Sequence, residues 1–300
     1  MKNELFNTYL KKLENHLSIL EDKNEETEYN TLKALWMTAS GNPVSALKSE
    51  ECELPDLSDS NIKKLEDLIS RRIKGIPLAH LTQRQSFMGM EMLAGSEALI
   101  PRKETEILGY TAIKILKNLG PEELCIIDVC TGAGNIALAI ANSLINTKIH
   151  AADISSDAIK LANKNSIFLD LSSQVTFYSG DLLEPFENIK LHNKANLLTC
   201  NPPYISTSKV SEMPDEISSF EPDLAFDGGV FGINLIRRLI TDAEKFLCDD
   251  GYLVFEVGLG QGNIIKKQVE KSNLYKNIKT VNDNLGNPRV IVAQKNKESL

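Results

Sequence analysis

The sequence predicts an α/β fold with a mostly parallel, doubly wound sheet. From residue 124 onward, short apolar runs alternate with amphipathic stretches, which is the pattern of strands followed by helices. Two of the predicted strands end in special segments, the glycine loop Thr131-Gly132-Ala133-Gly134 and the turn Asn201-Pro202-Pro203-Tyr204. Ligands of open α/β sheets bind at the carboxyl ends of strands, so both segments are candidates for a functional site.

The composition is that of a soluble globular chain. Its 300 residues suffice for one large domain or two ordinary ones, with 42% hydrophobic and 25% charged residues. The formal net charge of −8 argues against stable nucleic-acid binding, which needs a basic surface. We find neither a run of roughly 18 apolar residues, as a membrane span requires, nor the apolar segment of a signal peptide.

The cysteines predict a cytoplasmic protein without a metal site. They are odd in number, and none belongs to a CxxC pair, so reduced thiols fit best. They are Cys52, Cys125, Cys130, Cys200 and Cys248.

Residues 1–75 predict a small helical bundle, residues 76–101 a hairpin linker, and residues 102–300 the sheet domain. Apolar residues recur at helical spacing between Leu5 and Leu20 and around Trp36. A further predicted helix starts at Ser60 and ends before Gly75.

The sheet domain begins with a predicted helix and continues as alternating strands and helices. The predicted strands of the linker and the domain are 85–87, 91–93, 124–130, 148–152, 174–178, 195–200, 252–257, 278–281 and 289–293. The predicted helices are 107–119, 135–144, 155–165, 232–247 and 261–272. The last two strands predict a closing hairpin, which places one antiparallel strand at or near an edge of the sheet.

The glycine loop and a following aspartate indicate a nucleoside cofactor. Gly132 and Gly134 let the backbone turn sharply and let a ligand approach closely. Asp153 ends the second strand of the domain, where a carboxylate can accept both ribose hydroxyls. Asp181, after the next strand, could accept from an adenine amino group. An ordinary β–α turn and a helix cap at Asp181 remain the alternatives.

The Asn-Pro-Pro-Tyr turn predicts a stiff polar site. Its prolines have no N–H and fix φ, so they end the strand and hold the amide of Asn201 and the phenol of Tyr204 at the ligand edge. By itself the turn also fits a plain strand-to-loop connection. Arg102 and Glu104 by themselves fit a surface salt bridge.

With these segments in register, the chain resembles the class I S-adenosylmethionine-dependent methyltransferases, whose fold is a Rossmann-like, mostly parallel seven-stranded sheet. More narrowly it resembles the HemK/PrmC family, which methylates the glutamine side-chain nitrogen of the GGQ motif in class 1 peptide chain release factors and so acts in translation termination. The segments that carry the resemblance are 75–78, 100–106, 128–134, 153, 180–181, 201–204, 220–222, 224–225, 256–258, 261–262 and 283–289.

The resemblance implies a role for each matching residue. S-adenosylmethionine would be bound by Asp128, Cys130, Thr131, Gly132, Ala133, Gly134, Asp153, Asp181, Leu182 and Asn201. Asn201, Pro202 and Tyr204 would be catalytic, and with Pro203 they would bind the substrate amide. Arg102, Glu104 and Thr105 would border the entrance. The helical bundle would contact the release factor.

This sequence departs from the family pattern at four positions. Cys130 stands where the family has the first glycine of its loop, and Leu182 where an aromatic residue is common. Lys103 and Glu104 replace the usual proline and aspartate.

Three other functions remain open from the sequence. The same turn could present a flipped adenine or guanine amino group in a nucleic-acid methyltransferase. It could also methylate another protein or a small amide. Cys130 raises a third alternative, a non-catalytic binding protein that kept the fold.

Overall fold

The computed structural model describes residues 2–20, 22–120, 122–204, 216, 219–222, 226 and 234–297. Leu224 and Ala225, which contribute to the resemblance, and the first two residues of the predicted helix 232–247 lie outside this part of the chain. Within it, no helix is long and apolar enough to cross a membrane.

Five helices form the N-terminal bundle, as far as the described residues show. They are α1 (Lys2–Glu14), α2 (Glu28–Ala39), α3 (Ala46–Ser49), α4 (Asp59–Ile73) and α5 (Leu78–Thr82). Side chains such as Leu13, Leu35, Trp36 and Ile69 form its core. The cap of α4 is Ser58 and not Ser60, because the Ser58 hydroxyl accepts from the backbone N–H of Asn61.

The last helix of the bundle occupies the start of the predicted linker. Pro77 supplies the fixed φ at the N-cap of α5, and Leu78 and Leu81, three residues apart, pack into the bundle core. The linker proper is therefore the hairpin of β1 (Arg84–Phe87) and β2 (Met90–Leu93), which pair antiparallel as predicted.

Seven strands of the described chain form the main sheet, in the order β5-β4-β3-β6-β7-β9-β8. They are β3 (Leu124–Val129), β4 (Thr147–Asp153), β5 (Val175–Ser179), β6 (Ala195–Cys200), β7 (Leu247–Glu256), β8 (Tyr275–Asn282) and β9 (Pro288–Lys295). The first five are parallel, and β9 runs antiparallel to both of its neighbours. The predicted α/β class and the antiparallel strand near one edge are confirmed.

Helices cover both faces of the sheet. They are α6 (Glu106–Leu119), α7 (Asn135–Ser143), α8 (Ser156–Phe168), α9 (Asn234–Phe246) and α10 (Gly262–Ser272), with a short 3₁₀ helix over Glu184–Ile189. One buried cluster includes Ile126, Ile136 and Leu108, and a second includes Ile127, Leu198 and Phe246. Neighbouring residues of one strand thus face opposite clusters, as a sheet buried on both sides requires.

The strand order reverses next to β3, which creates the crevice where ligands of such sheets bind. The parallel register pairs Val129 at the end of β3 with Cys200 at the end of β6. The glycine loop and the Asn201 turn, each following one of these residues, therefore lie side by side.

Buried ion pairs join the bundle to the segment after the Asn201 turn. The Arg72 guanidinium donates to Glu26 at 3.1 Å and to Glu216 at 2.9 Å, and Lys23 donates to Glu216 at 2.7 Å. Although burial acts to raise the pKa of Glu216, Lys23 and Arg72 hold it below its usual value. Burial raises the pKa of Glu26.

Replacing Arg72 by alanine should lower the free energy of unfolding by about 3–5 kcal/mol, because buried Glu26 loses its ion-pair partner and buried Glu216 keeps only Lys23. Urea denaturation measures the change. Arg71→Ala is the matched control, since Arg71 pairs with Asp67 at 3.6 Å on the surface and should cost less than about 1 kcal/mol. Equal losses for the two variants would contradict the expectation.

Candidate active site

A cleft of about 1030 Å³, open to solvent, lies at the carboxyl ends of β3, β4 and β6. The lining residues that the sequence predicted are Arg102, Thr105, Cys130, Thr131, Gly132, Asp153, Asp181, Leu182, Asn201 and Pro203. The predicted residues Glu104, Asp128, Ala133, Gly134, Pro202 and Tyr204 lie outside that lining.

The glycine loop depends on conformations that other residues adopt at a cost. Gly132 has φ +55° and Gly134 has φ +83°, both in the left-handed region. A Cβ on Gly134 would also approach Phe177 to 3.1 Å and Ala162 to 3.2 Å. Both glycines therefore allow the turn. Gly134 also allows the start of α7 to pack closely on its neighbours.

Asp153 fastens the glycine loop to the start of α8. Its Oδ2 accepts from the backbone N–H of Gly132 at 2.8 Å, and its Oδ1 accepts from that of Ser155 at 2.9 Å. Each carboxylate oxygen retains a further lone pair, so the side chain can still accept ribose hydroxyls at the cleft wall. Burial raises its pKa despite these two bonds.

Asp128 supports the loop from below. Its side chain is buried and accepts from Thr131 at 2.5 Å and from Thr199 at 2.7 Å, which ties β3 to β6. Burial raises its pKa to about 6. Asp128 does not line the cleft itself, but its hydrogen-bond partner Thr131 does. A direct contact between Asp128 and the cofactor stays a prediction.

Cys130 occupies the position where the family has glycine, and its backbone explains that preference. Its φ is +56°, in the left-handed region that favours glycine. Its side chain packs against the same core cluster as Cys200, at the cleft wall. Burial and the neighbouring Cys130 thiol raise the pKa of Cys200, so the Cys200 sulfur acts as a small apolar group here.

Asp181 and Leu182 lie at the other end of the cleft. Asp181 accepts from Arg238 at 2.8 Å through Oδ2, and Leu182 is buried with φ +47°. An apolar wall beside a carboxylate suits an adenine ring with its amino group.

The Asn201 side chain carries an unused acceptor. Its Nδ2 donates to the Thr105 hydroxyl at 3.3 Å, while its Oδ1 is buried and has no hydrogen-bond partner among the described residues. A buried carbonyl oxygen without a partner is costly, which indicates that a ligand supplies the missing donor.

Tyr204 is held at both ends, by the last residue of β7 and by the segment after it. Its hydroxyl donates to Glu256 at 3.0 Å, and its carbonyl accepts from Gln261 at 2.9 Å. A Cβ on Gly258 would come within 2.9 Å of the ring, so the ring lies directly on that backbone. Burial and the nearby Glu256 raise the pKa of Tyr204, which keeps the phenol protonated.

Arg102 and Glu104 do not form a surface salt bridge with each other. Arg102 is buried and donates to Glu221, whose other oxygen accepts from Ile100 N–H at 2.9 Å. The Glu104 carboxylate lies 3.9 Å from Arg289. The surface salt-bridge interpretation is therefore wrong.

Several lining residues were not predicted from the sequence as site residues. They are Glu97, Ala98, Leu99, Pro101, Asn135, Ile136, Ile154, Ser155, Ala158, Pro222 and Leu235. Ile154 carries a signal that could have found it, because it directly follows the predicted ribose acid and remains 58% exposed despite its apolar side chain. The sequence also gave no role to Glu256, Gln261 and Arg289, which surround Tyr204 without lining the cleft.

Replacing Cys130 by glycine should raise the free energy of unfolding by about 1 kcal/mol, because the left-handed conformation costs glycine little. Urea denaturation measures this gain. Cys125→Gly is the control, since Cys125 lies within β3, where glycine weakens a strand. A Cys130→Gly protein with a lower free energy of unfolding than the wild type would contradict the claim that the backbone is strained at Cys130.

The chain is similar to known methyltransferases over most of its length. Residues 122–298 match the family model described as "Methyltransferase domain". In structure, the chain is similar to the hMettl16 catalytic domain in complex with MAT2A 3′UTR hairpin 6, with a TM-score of 0.56 and 14% identity over 78% of this chain and 84% of that one. At this identity the likeness describes the fold alone.

Two relatives are similar to this chain over more than four fifths of its length. The chain is 34% identical to the release factor glutamine methyltransferase of Thermodesulfovibrio yellowstonii over 82% of this chain and 86% of that protein. It is 33% identical to the protein of the same name in Moorella thermoacetica over 88% of this chain and 89% of that protein. The chain therefore belongs to the family of release factor glutamine methyltransferases.

Proposed function

We propose that this protein transfers the methyl group of S-adenosylmethionine to the side-chain nitrogen of the glutamine in the GGQ motif of class 1 peptide chain release factors. The observation that carries the proposal is the buried Asn201 Oδ1, which lacks a hydrogen-bond partner among the described residues and belongs to a residue lining the cleft. A primary amide offers two N–H donors, which is what a free acceptor at this place requires.

The residues of the cleft fit the cofactor. Asp153 would accept the ribose hydroxyls, and Asp181 with Leu182 would take the adenine end. Gly132 and its neighbours would leave room for the methionine end. Bound there, S-adenosylmethionine supplies an electrophilic methyl group on a positively charged sulfur.

Asn201 and Pro202 orient the amide and favour the charge that develops on it. An amide nitrogen is a weak nucleophile, because its lone pair is delocalised into the carbonyl. If Asn201 Oδ1 and the Pro202 carbonyl each accept one N–H, the lone pair is directed away from both acceptors toward the methyl group. The two oxygens also stabilise positive charge on nitrogen as the N–C bond forms and the S–C bond breaks.

Tyr204 and the prolines supply a rigid, dry wall for the flat amide. Proton loss to water completes the reaction, because the methylated amide nitrogen is strongly acidic while it carries the positive charge. The proposed target belongs to translation termination, so we place the reaction in the cytoplasm.

Replacing Asn201 by alanine should lower methyl transfer by about 10²–10³-fold, the usual effect of losing one charge-stabilising group. The assay follows labelled methyl from S-adenosylmethionine to purified release factor, with a factor whose GGQ glutamine is alanine in parallel. Asn163→Ala is the control, because Asn163 lies on α8 and its side chain donates to Ile159 O at 2.8 Å, away from the residues that line the cleft.

Label on the alanine factor would contradict the proposed target. Label on DNA or RNA that falls steeply with salt would instead favour methylation of a nucleic-acid base.

We further propose that the N-terminal bundle, residues 1–75, contacts the release factor. Tyr29 and Leu47 support this, because both are apolar side chains of the bundle that remain 52% and 44% exposed. Isolated exposed side chains need not be functional, so the surface has to be tested directly.

Tyr29→Glu and Leu47→Glu should each raise KM for the release factor and leave the affinity for S-adenosylmethionine unchanged. Ile145→Glu is the control. Ile145 is 90% exposed in the connection before β4, at the amino ends of the strands, whereas the cleft lies at their carboxyl ends. An unchanged KM in both bundle variants would refute contact through these side chains.

A further inference from the structure

Two cysteines stand at the ends of neighbouring strands beside the active site. Cys200 is the last residue of β6, directly before Asn201, and it is buried. Cys130 directly follows β3, is half-buried and lines the cleft. Both thiols are free in this structure. The methyl transfer proposed above gives neither sulfur a chemical role.

The pairing of the two strands brings the α-carbons of these cysteines within the reach of a disulfide. Val129 of β3 is paired with Cys200 of β6. Adjacent strands are about 4.8 Å apart and a strand rises about 3.3 Å per residue, so the α-carbon of Cys130, one residue beyond Val129, lies about 6 Å from that of Cys200. Disulfides join α-carbons that are roughly 4.4–6.8 Å apart. The two residues can therefore be linked with little movement of the backbone.

The backbone at Cys130 turns its side chain to the face of the sheet that holds Cys200. Successive side chains of a strand point to opposite faces, so a regular continuation of β3 would direct Cys130 away from the face that Val129 shares with Cys200. The φ of +56° breaks this alternation, and Cys130 packs against the buried cluster that contains both Val129 and Cys200. The thiol that replaces the family's glycine thus lies on the same face as the second thiol.

We propose that Cys130 and Cys200 are a reversible modification site, at which a peroxide converts the two thiols to a disulfide and thereby slows methyl transfer. Cys130 reacts first, because it alone of the two lines the cleft. Its thiolate takes one oxygen from hydrogen peroxide and becomes a sulfenic acid, and hydroxide leaves. The Cys200 sulfur then displaces that oxygen as water, and the S–S bond forms. In sum, the two thiols lose two electrons and two protons, and the peroxide is reduced to two molecules of water.

The disulfide disturbs the site because each cysteine adjoins one of its two segments. Cys130 is followed by the glycine loop, and Cys200 is followed by Asn201. Bonded sulfurs are about 2.05 Å apart, which is closer than unbonded sulfurs can come, so the bond pulls the starts of both segments toward each other. A displacement of about 1 Å can lower a rate by about 10²-fold. This loss of rate rests on the proposed function, whereas the formation of the disulfide does not.

The disulfide is detected without any methyl transfer. The full-length protein is treated with hydrogen peroxide, its remaining thiols are alkylated, and the protein is digested without reductant for mass spectrometry. The peptides that contain Cys130 and Cys200 should be joined, with a mass two hydrogen atoms below their sum, and dithiothreitol should release them. Oxidation of Cys130 without the link to Cys200 would overturn the proposal, as would two unreacted thiols.

Cys125 and Cys248 provide a matched control within the same protein. Both are half-buried thiols in strands of the same sheet. Because β6 lies between β3 and β7, their α-carbons are about two strand spacings apart, roughly 9–10 Å, which is beyond the reach of a disulfide. A Cys125–Cys248 link that forms as readily as the link between Cys130 and Cys200 would contradict the dependence on strand pairing.

The consequence is measured by single-turnover methyl transfer to the release factor. Peroxide should slow the wild-type protein by about 10²-fold, and dithiothreitol should restore the rate. Cys130→Gly and Cys200→Ala, each compared with its own untreated rate, should keep their rates after peroxide, while Cys125→Ala should be slowed like the wild type. A loss that dithiothreitol does not reverse, or an equal loss in Cys130→Gly, would overturn the proposal.

Failure of the proposed function is distinguishable from failure of this inference. If the untreated protein transfers no methyl group to a release factor, the proposed function fails. The peptide analysis then decides by itself whether Cys130 and Cys200 form the disulfide.

Discussion

The parallel pairing of β3 with β6 is the constraint on which the site depends. Because Val129 pairs with Cys200, the glycine loop and the Asn201 turn leave the sheet side by side. Asp128 reinforces this pairing by accepting from one hydroxyl at the end of each element, Thr131 and Thr199. A shift of one residue between these strands would exchange the faces of their side chains and separate the two halves of the cleft.

The polar groups around the cleft are buried. Burial of a polar group costs free energy, and this cost accounts for the hydrogen bonds that connect these groups to their neighbours. Asp128, Asp153 and Glu256 all have raised pKa values because water is excluded from them. Each is offset by directed donors from other elements, which makes the site rigid. Asn201 Oδ1 and Glu256 Oε2 are buried acceptors left without a donor among the described residues, and of these two residues only Asn201 lines the cleft. Rigidity around one unsatisfied group is what preorganised binding of an amide requires.

The N-terminal bundle is joined to the sheet domain by buried charges as well as by the hairpin. Arg72 and Lys23 meet Glu216, and Arg102 meets Glu221, so two glutamates that follow the Asn201 turn in the chain are held by cations from earlier elements. Removing one partner of such a pair leaves an uncompensated charge. The bundle is therefore coupled to Glu216.

The sequence by itself determined the fold class, the order of strands and helices along the chain, and the two segments at the ligand-binding edge of the sheet. It could do so because periodicity, glycine and proline act locally. Most of the residues that it predicted to bind the cofactor line the cleft, since they follow strands directly. Only the tertiary structure decided that α5 joins the bundle, that Arg102 pairs with Glu221, and that Thr105 meets Asn201 while Glu256 meets Tyr204. These residues are far apart in the chain, and no local pattern records which distant side chain satisfies a buried polar group.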